Sequence, residues 1–144
     1  MNILQKLIKV EYKIHLHIMK PILIAGSLIV TLALISYSVG FFSEFRSRII
    51  SKISLFFLAL GLILDISGTV CMIIGSTNNA FTFHGIIGYS ALLGMFIDNA
   101  LFWKMWNQNG IGSAVPKKLH YYSLIAYSWW AIVYISGTIM AAGR

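Results

Sequence analysis

Few residues in this chain are equipped for chemistry, and most of those sit inside apolar stretches. There are four histidines, four acidic residues and one cysteine. The stretch 81–106, FTFHGIIGYSALLGMFIDNALFWKMW, carries His84 near its start and Asp98 near its end. At helical spacing His84, Gly88, Ala91, Met95, Asp98 and Phe102 follow one another at three or four residues, which puts them on one stripe. A second apolar stretch carries Gly61, Asp65, Gly68, Met72 and Gly75 in the same way, and a third opens on His120. An imidazole beside glycines on the inner face of a helix suits an iron ligand, the glycines leaving room for a flat macrocycle such as haem b. A carboxyl halfway along an apolar stretch suits proton transfer.

The elements that must position these groups are long and apolar. The chain of 144 residues is 58% hydrophobic and 10% charged, with mean hydropathy +0.81; soluble chains run to about 25% charged. Stretches 21–42, 53–76, 81–106 and 120–142 each meet the ~20 apolar residues that a membrane-crossing helix needs. Short connections predict an all-α integral membrane protein, a four-helix up-and-down bundle in one domain. Gly26, Val30, Ala33, Tyr37 and Gly40 form the stripe of the first span, small residues that favour close helix approach. The fourth span holds Tyr121, Tyr122, Tyr127, Trp129, Trp130 and Tyr134, which read most simply as an aromatic belt and packing surface.

Antiparallel spans decide which groups can meet. His84 and the second span's Cys71 and Met72 come to one depth, on the side where the chain begins; Asp98 and His120 come together near the other. His84 and His120 are therefore too far apart to share an ion. If haem binds, His84 is the expected metal ligand, with Met72, His15, His17 or water on the opposite axial position. His120 is expected to pair with Asp98, which orients an imidazole better than it ligates iron. Tyr127 and Tyr134, on the His120 stripe, are the expected hydrogen-bond donors to buried Asp65. The plain alternatives are that the histidines are interfacial packing residues and that Met72 and Met95 fill the core.

Residues 1–18 read as an amphipathic extension ahead of a four-span domain, 19–144. From Ile8 to Ile18 apolar and polar residues alternate as in a strand, whereas Ile3, Leu4, Leu7 and Ile8 suit a helix on a membrane surface. Met19, in MKPILIAGS, reads as an alternative start. The net charge of +7 is confined to ends and loops, which fits topology and anionic lipid rather than nucleic acid. Lys6, Lys9, Lys13, Lys20 and Arg144 fall on one side; Arg46, Arg48, Lys52, Lys104, Lys117 and Lys118 fall on the other. Without residues 1–18 the imbalance grows and places the second group in the cytoplasm. No CxxC pair, phosphate-binding glycine loop, HExxH site or Ser/His/Asp triad at one depth is found, which argues against hydrolase and transferase chemistry.

The strings SYSVGFFSEFRSR, LGLILDISGT, FHGIIGYSALLGM and HYYSLIAYSWWAIVYISG together resemble a family of small four-helix bacterial membrane proteins, the HsmA type. The resemblance covers about 24–137 and includes Asp65, Gly68, His84, Gly88, His120, Trp130 and Gly137. It implies the four-span fold and a bacterial inner-membrane location, but no particular activity. It also implies a histidine where this chain has Asp98, a departure that argues against a bis-histidine site there, and it leaves residues 1–18 outside the family pattern. The leading expectation is a membrane protein that binds a cofactor or small ligand, haem b first, and passes electrons. The alternatives are an accessory subunit without cofactor and a small proton-coupled transporter working as a homodimer. The partners expected are the lipid bilayer and a second copy or larger membrane complex.

Overall fold

The computed structural model describes residues 2–77, 79 and 81–143. Asn78 and Ala80, in the short connection between stretches 53–76 and 81–106, and Arg144 of the charge count lie outside the described residues. Four helices make up the described chain: α1 Ile3–Ser47, α2 Lys52–Gly75, α3 Phe83–Asn109 and α4 Lys117–Ala142. Each is long and apolar enough to cross a membrane by length and composition.

Helix α1 and helix α2 pack along most of the length of α2, and the small-residue stripes explain why. A Cβ built on Gly68 would lie 2.9 Å from the Gly26 carbonyl oxygen; one on Gly40 would lie 2.9 Å from the Leu58 nitrogen. Gly61 faces the ring of Tyr37, and Gly75 faces the backbone of Met19 and Leu23. Backbones this close require glycine, and the contact they allow is van der Waals packing over a broad strip.

The helix ends are fixed locally. Arg48, at φ 57°, turns the chain out of α1 while its N–H reaches the Glu44 carbonyl. Ser51 and Ser54 form a reciprocal cap at the start of α2, and the Thr82 side chain accepts from Gly85 N–H at the start of α3. Gly110, at φ 77°, ends α3, and Pro116 precedes α4. The α1–α2 and α3–α4 connections then pair with each other. Ile50 N–H donates to Ser113 O at 2.9 Å, Gly112 N–H to Ile50 O at 2.8 Å and Val115 N–H to Arg48 O at 2.9 Å. Ile50 and Val115 are buried beneath this knot.

The alternation over 8–18 is not a strand. Helix α1 runs unbroken from Ile3, across the 18/19 boundary and through Pro21. Its first turns have no packing partner among the described residues: residues 2–15 are all exposed, and the bundle begins where Gly75 meets Met19 and Leu23.

Candidate functional site

Three of the four acidic residues lie inside the bundle: Glu44, Asp65 and Asp98 are at most 4% exposed. They come from α1, α2 and α3 respectively, and each is met by a residue of α4. His120 Nδ1 stands 2.9 Å from Glu44 Oε1. Ser123 Oγ donates to Asp98 Oδ1. Trp130 Nε1–H donates to Asp65 Oδ2 at 2.7 Å. His120, Ser123 and Trp130 recur at i, i+3 and i+10, so one face of α4 serves all three carboxyls.

Around this ladder further side chains tie α4 to α1. Thr31 and Tyr134 hydroxyls are 2.9 Å apart, and those of Ser38 and Tyr127 are 2.7 Å apart. The Tyr37 hydroxyl makes a long 3.5 Å contact to Asp65, and its ring meets Trp130 edge-on at 5.0 Å. Phe41 stacks on Tyr127. The partner on α4 falls in number as that on α1 rises, so the two helices run antiparallel. α1 therefore binds α2 by backbone approach and α4 by polar and aromatic side chains. Asn99 of α3, also buried, donates to Leu58 O of α2 at 2.7 Å.

The Glu44–His120 pair closes the end of the bundle under the knotted loops, with the Phe45 ring 5.2 Å from the imidazole. Glu44 Oε2 is buried and has no hydrogen-bond partner among the described residues. A buried polar atom is costly unless it finds a hydrogen-bond partner, so this oxygen is an unsatisfied position in the ladder among the described residues.

Two expected pairings are corrected. His120 meets Glu44, not Asp98, because Asp98 lies one turn deeper, level with Ser123. Asp65 is held by Trp130 and Tyr37, while Tyr127 and Tyr134, half-buried at the edge of the α4 face, reach across to Ser38 and Thr31. At the other end of the bundle, Met72 lies against Gly26 and His84 against Gly137, where an added Cβ would come within 2.9 Å of the imidazole Nε2. His15 and His17 are exposed on the protruding part of α1. No group of three or more His, Cys, Asp or Glu residues is placed to hold a metal ion among the described residues. The signals that mark these two residues are spacings: Glu44 continues the Gly26–Gly40 stripe by one turn, and Ser123 stands at i+3 from His120. Comparison with family models, curated proteins and solved structures gives no match.

Proposed function

We propose that the chain is a four-span integral membrane protein, an up-and-down bundle of a bacterial inner membrane, whose buried carboxyls take up and release protons as a small proton-coupled carrier. One observation carries this reading: three different helices each present a carboxyl to the interior, and α4 holds all three. The broad exposure of large apolar side chains on every helix supports a lipid-facing outer surface. An acid in a bilayer costs ~2.5–3.5 kcal/mol on insertion scales, so interior acids in membrane helices are by default functional groups. Hydrogen bonds to an ionised carboxylate are stronger than those to a neutral one. Protonation along the ladder would thus loosen α4 from α1, α2 and α3, which couples proton occupancy to helix movement. The test uses vesicles containing a pH-sensitive dye. After an external acid step the parent protein should acidify the interior faster than empty vesicles, and Asp65→Asn, inserted in equal amount, should not. Equal rates for parent and variant would overturn the reading in favour of a structural role for Asp65.

A second reading, haem b binding with His84 on the iron, is supported by the start of α3. His84 is half-buried there, and a Cβ added to Gly88 one turn on would meet nothing within 4 Å. Met72, which lies against Gly26 at the same end of the bundle, would be the second residue to hold the group. Purified protein supplied with haem should then show a Soret band that His84→Ala loses. A parent protein without that band sinks this reading.

A further inference from the structure

The protruding part of α1 leaves an apolar stripe uncovered. Ile3, Leu7, Val10 and Ile14 recur at four, three and four residues and are 76%, 62%, 55% and 56% exposed. That spacing is the a/d seam of a two-stranded coiled coil. The stripe continues along the bundle as Ile18, Leu28, Leu32, Ile35 and Val39, all exposed. It lies roughly 140° around the helix from the Gly26–Glu44 face that packs against the rest of the chain, at 3.6 residues per turn. A partner on the seam would therefore not collide with the chain's own bundle.

We infer that the partner is a second copy of this chain, joined as a parallel coiled coil through residues 3–14 of α1. The charges flanking the seam fit that partner. With Leu7 and Ile14 at position a, Lys6 and Lys13 fall at g and Leu4, Glu11 and Ile18 at e. In a parallel pair each g side chain approaches the e side chain five residues further on in the other strand, which sets Lys6 against Glu11 of the second copy, twice by symmetry. An antiparallel pair would set lysine against lysine. The parallel orientation rests on the four-span reading proposed above, in which both copies send α1 out of the same membrane face. About two heptads are too short to hold alone, but the continuous helix delivers them already folded and at the high effective concentration of two membrane-held neighbours. An anionic lipid surface is the competing occupant, since Lys6, Lys9, Lys13 and Lys20 share one side of the helix and Pro21 offers a place to bend.

Disulfide formation in native membranes separates the two. In full-length protein carrying Cys71→Ser, Leu7→Cys and Ile14→Cys should each convert most of the chain to a covalent dimer, and Lys9→Cys, on the outer face, should convert little. In the Leu7→Cys protein, Lys6→Glu should lose most of that dimer and the exchange Lys6→Glu/Glu11→Lys should restore it. Equal yields at positions 7 and 9, no dimer at either seam position, or an exchange that restores nothing would each overturn the proposal. A segment lying on lipid gives the second of these outcomes. Cross-linking to an Ile14→Cys chain from an Ile3→Cys chain would also overturn it, because only antiparallel strands set those two seam positions opposite each other. None of these readouts depends on proton movement, so the carrier reading can fail while the dimer stands.

Discussion

A histidine and a glutamate that bury each other are difficult to substitute one at a time. His120 and Glu44 are 2% and 1% exposed, and removing His120 would leave both Glu44 oxygens without a partner. Breaking a buried pair from one side costs ~3–5 kcal/mol, whereas replacing both members with apolar residues of similar volume is often close to neutral. His120→Leu should therefore lower the melting temperature in detergent sharply, and Glu44→Leu/His120→Leu should recover most of the loss. A double variant no more stable than the single would show that the pair is not the source of the effect. Depth arguments on the sequence brought His120 to the correct end of the bundle but could not choose its partner. Glu44 stands among Arg46, Arg48 and Lys52 just past the apolar run and reads there as a loop charge. What placed it inside is one further helical turn of α1, carrying the Gly40 stripe to i+4. Asp65 was legible as an interior group because its cost in an apolar span admits no other place, yet its donors were not. Trp130 rather than Tyr127 or Tyr134 faces it because the buried side of α4 is centred on Ser123, Ala126, Trp130 and Val133.

At the scale of elements, the close approach of α1 and α2 turns glycine substitutions into a gauge of packing. A Cβ on Gly68 would meet the Gly26 carbonyl oxygen at 2.9 Å, an atom that moves only if the helices part. Gly68→Leu should separate α1 from α2 and lower the melting temperature more than any single polar substitution on the ladder. Gly94 is the control: its nearest neighbour would be the Ala126 Cβ at 3.9 Å. Gly94→Ala should be neutral or gain up to about 1 kcal/mol from helix propensity. If both variants melt together, the α1–α2 contact is looser than these approaches indicate. These stripes were the most legible feature of the sequence, since seven-residue spacing of small residues reports helix–helix contact directly. The alternation over 8–18 misled for the opposite reason. A strand pattern becomes a strand only with a neighbour to pair with, and among the described residues there is none. Extending a helix already nucleated adds one hydrogen bond per residue without a new nucleus, so α1 continues to Ile3.

For the whole molecule, the knot between the two connections is the feature that constrains topology most. Three backbone hydrogen bonds tie Arg48 and Ile50 to the segment Gly112–Val115. The loops at the ends of α1 and α3 therefore lie together, and in the four-span reading they share one side of the membrane, with Asn79 on the other. Charge does not orient this arrangement unaided. The protruding segment belongs to a continuous α1, so Lys6, Lys9 and Lys13 count beside Lys20 and narrow the imbalance to four cations against the six of the knotted side. Accessibility must decide. In a Cys71→Ser background, Arg48→Cys and Ser113→Cys should react with an impermeant thiol reagent from the same side of sealed membranes, and Asn79→Cys only from the opposite side. The reaction of Lys6→Cys should follow Asn79→Cys, because an unbroken α1 of one span puts its start and the α2–α3 turn on one face. Labelling of 48 and 113 from opposite sides would break the four-span arrangement. Labelling of 6 with 48 would mean that α1 does not cross.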